Sequence, residues 1–201
     1  MMDIVTNKKD GILAIEFNRP QKKNSITAAM YQVMADALKD ADQDKDVRVI
    51  LICGKPDIFT AGNDLEDFMN TPPGGDLADR PVAHFMLRLL EAKKPVIAAV
   101  AGAAIGIGTT LLLHCDMVYA AENARFSMPF AQLGLCPEFA SSMLLPQVIG
   151  FPRAAEKLLI GEFFSAPEAY EMGLINKVLP VNELLPYAYA QAAKLVRLPA
   201  S

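Results

Sequence analysis

Two short segments rich in glycine and small residues carry the clearest chemical signal in this 201-residue chain. They are residues 59–64 (FTAGND) and 101–108 (AGAAIGIG), and each follows an apolar run typical of a buried strand, at 47–53 and 95–100. Glycine and alanine there let backbone amides approach a ligand closely. Two such turns lying side by side would aim two N–H donors at one oxygen, forming an oxyanion hole. The alternative is that each is an ordinary tight turn between a strand and a helix.

Several motifs in a fixed order resemble those of the crotonase superfamily, the enoyl-CoA hydratases and isomerases. Besides the two glycine turns they are Asn18-Arg19-Pro20 with Asn24, Cys115-Asp116, and residues 133–138 (LGLCPE) and 166–178 (APEAYEMGLINKV). The resemblance covers nearly the whole chain. It implies an acyl-CoA thioester as substrate, with no cofactor beyond the coenzyme A that the substrate carries.

The resemblance also implies which amides stabilise a thioester enolate. The first donor is the amide of Ala61, and the second is the amide of Ile107, at the start of the helix that follows the second turn. There the helix dipole adds positive potential.

The acidic residues separate two branches of the family. The hydratase branch implies glutamates at positions 110 and 130, where this chain has Thr110 and Phe130. Glu138 resembles instead the glutamate that shuttles the proton in the isomerases that convert 3-enoyl-CoA to 2-enoyl-CoA. The chain departs from that pattern at Phe139, where a glycine is usual.

Glu138 has two interpretations. As a catalytic base it needs an apolar wall that raises its pKa toward neutrality, for which the expected residues are Leu135, Phe139, Met143 and Phe130. As a structural residue it caps a helix predicted over 138–149, since proline at the first position and an acid in the first turn are common there.

The resemblance places coenzyme A beside Asp64 and Leu65, through backbone contacts above all. Lys22 and Lys23 are candidates for the nucleotide phosphates, although a solvated loop explains them equally well. The two histidines, His84 and His114, lack the spacing of metal ligands, so no metal site is expected.

Composition excludes several classes of protein. The net charge of −4 argues against a nucleic-acid partner. The longest apolar stretch is interrupted by glycines and threonines, so no membrane span is expected. Three unpaired cysteines and the lack of a visible signal peptide indicate the cytoplasm or another reducing compartment.

Alternating strand and helix patterns predict an α/β protein with a largely parallel sheet. A hairpin is predicted around 8–11, helices over 27–41, 82–92, 108–114, 153–160 and 181–198, a capping box at 165–168, and a mobile loop over 70–81. The resemblance implies one domain over 1–198: a crotonase-like spiral of ββα units to about residue 150, then a helical segment over 151–201. By the same resemblance that segment is expected to be shortened, either naturally or because the last helices are missing, and assembly into a homotrimer or a dimer of trimers is implied.

Three functions are consistent with these patterns. The first is a 3-enoyl-CoA to 2-enoyl-CoA isomerase of fatty acid metabolism, with Glu138 as the base. The second is an enoyl-CoA hydratase that uses Glu138 alone, and the third is a non-catalytic acyl-CoA-binding or assembly subunit.

Overall fold

The strands of the protein form two sheets. The computed structural model describes residues 2–69 and 77–199. Their strands, in chain order, are β1 Ile4–Lys9, β2 Ile12–Phe17, β3 Val49–Cys53, β4 Ile58–Thr60, β5 Val96–Val100, β6 Ala103–Ile105, β7 Met117–Ala121, β8 Arg125–Ser127, β9 Phe164–Ser165 and β10 Lys177–Leu179.

Helices connect and cover these strands. They are α1 Ala28–Gln43, α2 Leu65–Met69, α3 Pro81–Leu90, α4 Ile107–Thr110, α5 Ser141–Ile149, α6 Phe151–Leu159, α7 Ala166–Glu171 and α8 Val181–Val196. Short 3-10 turns lie at Pro20–Lys22, Leu77–Asp79, Leu111–His114 and Ala131–Leu133. None of the helices within the described ranges is long and apolar enough to cross a membrane.

The larger sheet has the order β1-β2-β3-β5-β7-β10 and is parallel except for the β1–β2 hairpin. The smaller sheet has the order β4-β6-β8-β9, in which only β9 is antiparallel. The chain passes from the larger to the smaller sheet three times, from β3 to β4, from β5 to β6 and from β7 to β8. The α/β prediction with a largely parallel sheet is therefore confirmed.

Glycine makes one of these passages possible. Gly102 lies between β5 and β6 with φ of +66°, and a Cβ there would come 1.9 Å from the carbonyl oxygen of Asp57. No side chain fits at that distance, and only glycine adopts this φ without strain.

The larger sheet is buried on both faces. Val49, Leu51 and Cys53 of β3 pack with α8, whereas Ile50 and Ile52 belong to the main core with α1. Parallel strands covered on both faces read as continuous apolar runs, which is how β3 and β5 appear in the sequence.

Local signals of the sequence are confirmed at several element ends. The β1–β2 hairpin turns at Asp10 and Gly11, Thr27 caps α1 by accepting from the Met30 amide, and Ser165 and Glu168 form the predicted capping box.

Two predicted helices are wrong in extent. The helix expected over 138–149 begins at Ser141, because Phe139 and Ala140 both have positive φ. The helix expected over 108–114 is divided into α4 and a 3-10 turn. The predicted loop over 70–81 lies mostly outside the described residues; of its end, residues 77–79 form a 3-10 turn and Pro81 begins α3.

Candidate active site

The two glycine turns meet at one edge of the smaller sheet. Strands β4 and β6 are parallel neighbours with Thr60 opposite Ala104, so both turns follow the carboxyl ends of adjacent strands. A Cβ on Gly62, whose φ is +87°, would lie 2.8 Å from the carbonyl oxygen of Ile105. The turns therefore lie side by side, at van der Waals distance, as the sequence predicts.

The structure does not support Ala61 as an oxyanion donor. Its amide donates to the carbonyl oxygen of Lys23 at 3.0 Å, and an N–H committed to that bond is not available to a ligand. The amides of Asn63 and of Ile107, the first residue of α4, have no acceptor among the described residues. In the first turn the amide left without an acceptor is therefore that of Asn63, two residues further on, and not that of Ala61.

The pairing of this turn with residue 26 explains which of its amides is left without an acceptor. Ile26 bridges to Asn63 in parallel, with its amide donating to Gly62 and its carbonyl accepting from the Asp64 amide. These bonds take the amide of Asp64 but leave that of Asn63 unused. They involve residue 26, far away in the sequence, so the pattern of residues 59–64 gives no sign of them.

Residues 19–24, which follow β2, hold the strand that leads into the first turn. Asn24 is fully buried, accepts from the Arg19 amide through Oδ1 and donates through Nδ2 to the carbonyls of Ile58 and Phe59. A buried carboxamide whose oxygen and nitrogen are both hydrogen-bonded fixes the positions of the segments that it joins. Asn24, which follows the Asn18-Arg19-Pro20 motif, therefore holds β4 in place.

Arg19 and Asp64 form the second support. The guanidinium of Arg19 lies 2.6 Å from the Asp64 carboxylate, which also accepts from Ser25 Oγ at 2.9 Å. The hydrogen bond from Arg19 is the main reason why the pKa of Asp64 falls to about 2. The Asp64 side chain is thus engaged within the protein, and only its backbone remains for the predicted coenzyme A contact.

The other residues predicted to bind coenzyme A lie at the surface nearby. Leu65 is 59% exposed, Lys23 is exposed, and Lys22 is exposed with its Nζ 4.0 Å from a Glu66 carboxylate oxygen. All three side chains are therefore accessible from solvent.

A cavity of about 400 Å³ opens beside the first turn. Its wall is mostly apolar, with a few polar groups from α1, the first turn and the segment before α5. Among the described residues it is lined by Ile26, Ala28, Tyr31, Asn63, Asp64, Asp67, Arg80, Pro81, Val82, Ala83, Met86, Glu138 and Phe139. Ile107 is fully buried and is not part of this lining.

Glu138 lines the cavity and does not cap a helix. The first residue of α5 is Ser141, and no side chain caps that helix. Burial raises the pKa of Glu138 from 4.5 to about 7, against a smaller opposing effect of a hydrogen bond from the Asn63 side chain. One carboxyl oxygen, Oε1, is buried without a hydrogen-bond partner among the described residues. A carboxyl in this state both accepts and returns a proton near neutral pH.

The expected apolar wall around Glu138 is only partly right. Phe139 lines the cavity, but Leu135 and Met143 are 45% and 59% exposed. Phe130 is buried against Gly106, where its ring lies 4.0 Å from the position of a Cβ, and does not line the cavity.

The two positions at which hydratases carry acids hold a buried hydroxyl and a phenyl ring. Thr110 is fully buried, and its Oγ1 has no hydrogen-bond partner in the described part of the chain. The same is true of Glu138 Oε1. Within that same part no cluster of histidine, cysteine and carboxylate side chains could hold a metal ion.

Sequence reasoning missed two polar side chains in the cavity, Tyr31 and Asn63. The Tyr31 hydroxyl donates to Asn63 Oδ1, and Tyr31 is 3% exposed. A signal existed for Tyr31: it follows Met30 on the apolar face of α1, where a hydroxyl needs a partner.

A two-sheet α/β spiral with paired glycine turns at one edge and a buried carboxyl beside them defines the crotonase fold class. The whole-chain structure of Pseudomonas aeruginosa OdaA superimposes with a TM-score of 0.95 at 46% identity, over 100% of this chain and 81% of that one.

The family model described as enoyl-CoA hydratase/isomerase matches residues 7–201, and the chain belongs to that family. Human enoyl-CoA delta isomerase 2 is 36% identical over 98% of this chain and 51% of its own length, so the chain spans about half of that relative. The 2,3-dehydroadipyl-CoA hydratase of Escherichia coli K12 is 34% identical over 98% of this chain and 77% of the relative. Both isomerases and hydratases are therefore among its relatives.

Proposed function

We propose that the protein is an isomerase that converts 3-enoyl-CoA to 2-enoyl-CoA, with Glu138 carrying the proton. The observation that supports this most is the state of Glu138, a carboxyl that lines an apolar cavity beside the first glycine turn with one oxygen unpartnered. Thr110 and Phe130 leave no second acid at the matching positions.

The proposed reaction is a proton shuttle that uses one carboxyl. Ionised Glu138 removes a proton from carbon 2, and the electron pair of that C–H bond moves into the thioester carbonyl to form a dienolate. Glu138 then returns the proton to carbon 4, which moves the double bond from position 3 to position 2. The base is regenerated, and nothing is oxidised or reduced.

The amides of Asn63 and Ile107 are the proposed donors to the enolate oxygen. Each amide lacks an acceptor among the described residues, and the two turns that carry them adjoin. Donors arranged in advance around a developing oxyanion typically contribute about 2.7–4 kcal/mol each.

Coenzyme A is proposed to lie along the surface that begins at the first turn. The backbone of Asp64 and Leu65 faces its adenine and pantetheine parts, and the exposed Lys22 and Lys23 lie near the phosphates. Assembly into a trimer or a pair of trimers stays a prediction.

A hydratase that uses Glu138 alone is the second candidate, because relatives such as the Escherichia coli enzyme bear hydratase names. Adding water across a double bond takes a group that activates the water and a group that protonates carbon 2. Without acids at positions 110 and 130, Glu138 would have to do both.

Incubation with 3-enoyl-CoA and with 2-enoyl-CoA, in separate reactions, tests the proposal. An isomerase produces the ultraviolet absorbance of the conjugated thioester from the first substrate, whereas a hydratase removes it from the second. Glu138→Gln should lower the turnover by about 100-fold or more, as expected for a general base. Efficient hydration by the unmodified protein would reject the isomerase, and acyl-CoA binding without either reaction would favour the non-catalytic alternative.

A further inference from the structure

Three cavity residues from separate parts of the sequence are joined by hydrogen bonds. Tyr31 is bonded to the Asn63 side chain, and the Asn63 side chain to Glu138. Tyr31 lies on α1, Asn63 in the first glycine turn and Glu138 in the segment before α5. All three line the cavity, which is otherwise mostly apolar. The mechanism proposed above uses the Asn63 backbone and the Glu138 carboxyl but gives Tyr31 no role.

We propose that Tyr31 is a positioning residue, which acts through the Asn63 carboxamide to hold Glu138 in its reactive orientation. This inference rests on the proposed function of Glu138. Tyr31 touches Asn63 rather than the reacting atoms, so its effect on the reaction is indirect.

The hydrogen bond from Tyr31 decides which way the Asn63 carboxamide faces. A carboxamide has one accepting oxygen and one donating nitrogen, and Tyr31 occupies the oxygen as donor. The nitrogen is then the end left to interact with Glu138. With the amide reversed, the Tyr31 hydroxyl would lose its acceptor and an oxygen would face the carboxylate.

A donor at this place suits a base that must ionise in an apolar cavity. A hydrogen bond from Asn63 lowers the pKa of Glu138 against the larger effect of burial. Oε1 remains without a partner, so a lone pair stays available for the substrate proton. One arrangement thus orients the carboxyl and leaves an oxygen reactive.

Tyr31 is itself held firmly. It is 3% exposed, its ring centroid lies 5.6 Å from that of Phe85, and its amide bonds within the first turn of α1 to Thr27. Burial, and then the nearby charge of Glu138, raise the pKa of Tyr31 well above its usual value. The hydroxyl therefore keeps its proton and stays a donor throughout the pH range in which Glu138 titrates.

Other charged groups around the cavity are already engaged or lie outside this chain of contacts. Asp64 is paired with Arg19, Asp67 accepts from the Ala28 amide, and Arg80 lines the cavity. His114 lies behind Phe139 and bonds to its carbonyl oxygen.

The decisive variant is Tyr31→Phe, which keeps the ring and removes the hydroxyl. Tyr119→Phe is the matched control, because Tyr119 is 5% exposed and its hydroxyl donates to Met117 Sδ, at 3.2 Å, on the larger sheet. For Tyr31→Phe we expect kcat to fall about 10-fold with KM nearly unchanged, since a hydrogen bond to a charged group is weakened. The acid limb of kcat/KM should move to higher pH by up to about one unit, because the ionised carboxyl loses a stabilising donor.

The pKa of Glu138 can also be measured without any reaction. A ¹³C NMR titration of labelled glutamate, with the Glu138 signal assigned by its loss in Glu138→Gln, should show the same upward shift in Tyr31→Phe and none in Tyr119→Phe. In an Asn63→Ala background, Tyr31→Phe should have little further effect, because the connecting carboxamide is gone. This double-mutant cycle separates action through Asn63 from a purely structural role.

The two proposals fail in different ways. If isomerisation depends on Glu138 but Tyr31→Phe leaves both kcat and the pKa of Glu138 unchanged, the positioning role is refuted. An unchanged effect of Tyr31→Phe in the Asn63→Ala background refutes it too. If no isomerisation occurs but Tyr31→Phe still shifts the pKa of Glu138, the influence of Tyr31 on the carboxyl stands and the proposed reaction fails.

Discussion

The imidazole of His114 stacks on the ring of Phe139, with centroids 3.7 Å apart, and its Nε2 lies 2.9 Å from the Phe139 carbonyl oxygen. A carbonyl only accepts, so Nε2 carries the proton and donates. Phe139 and Ala140 have φ of +54° and +53°, a left-handed conformation that residues with a side chain rarely adopt. His114 thus clamps a strained segment immediately after Glu138.

His114→Ala should lower both stability and activity. Loss of the stacked ring and of the hydrogen bond should reduce the free energy of unfolding by about 1–3 kcal/mol. A freed Phe139 would let Glu138 move, so kcat should fall more than the affinity for acyl-CoA does. Urea unfolding and steady-state kinetics measure the two effects. Unchanged values for both would show that the segment keeps its conformation without His114.

The stability that His114 contributes should also fall in acid, because burial disfavours its charged form. Burial lowers the pKa of His114, and the Phe139 carbonyl opposes that shift only in part. The unfolded chain then takes up a proton more readily than the folded one, so this stability is present above pH 6.5 and is lost as the pH falls below it. His114→Gln, which cannot titrate, should lose less stability than the unmodified protein between pH 8 and pH 5.5. An equal loss would contradict the assignment.

Glu138→Gln should stabilise the protein at alkaline pH while removing its activity. Because the folded pKa of Glu138 is raised from 4.5 to about 7, its stability is fully present below pH 4.5 and is lost as the pH rises through 7. Glutamine does not ionise, so the variant avoids this loss. Its free energy of unfolding at pH 8 should exceed that of the unmodified protein by at most about 3 kcal/mol. Unfolding curves at pH 8 and at pH 4.5 test this, and only the first pH should separate the two proteins.

Two neighbouring threonines of α4 should respond to the same substitution with opposite signs. Thr109 Oγ1 donates to the Ala104 carbonyl at 2.6 Å, whereas Thr110 Oγ1 has no partner in the described residues, and both side chains are buried. Thr109→Val should destabilise the protein by about 1–3 kcal/mol, and Thr110→Val should stabilise it by about 1 kcal/mol. The midpoints of urea unfolding measure both, and destabilisation by Thr110→Val would indicate a partner for that hydroxyl.

Substitutions at Gly102 and Gly134 separate the cost of a left-handed backbone from the cost of a steric clash. Their φ values are +66° and +67°, but a Cβ would meet Asp57 O at 1.9 Å at the first and nothing within 4 Å at the second. Gly134→Ala should therefore cost about 1–2 kcal/mol for the left-handed conformation alone. Gly102→Ala should lower the free energy of unfolding by clearly more, because the backbone between β5 and β6 must move away from Asp57 to make room for the methyl group. Similar unfolding free energies for the two variants would refute the steric account.

The sequence by itself determined the class of fold and, through its resemblance to the family, a candidate for the catalytic acid. Some signals depend on a few adjacent residues and can be recognised without the tertiary structure. They are the buried apolar runs, the Thr27 and Ser165 caps, and the two glycine turns. The resemblance of residues 133–138 to the isomerase branch then made Glu138 the candidate base.

Only the tertiary structure decided how the site is assembled. The amide of Ala61 is taken by the carbonyl of Lys23, and α5 begins three residues after Glu138 instead of at it. Tyr31 meets Asn63 across 32 residues of chain. Hydrogen bonds and desolvation depend on distances in space, and residues far apart in the sequence set those distances. A local pattern can therefore indicate a candidate carboxyl but not the partners that hold it.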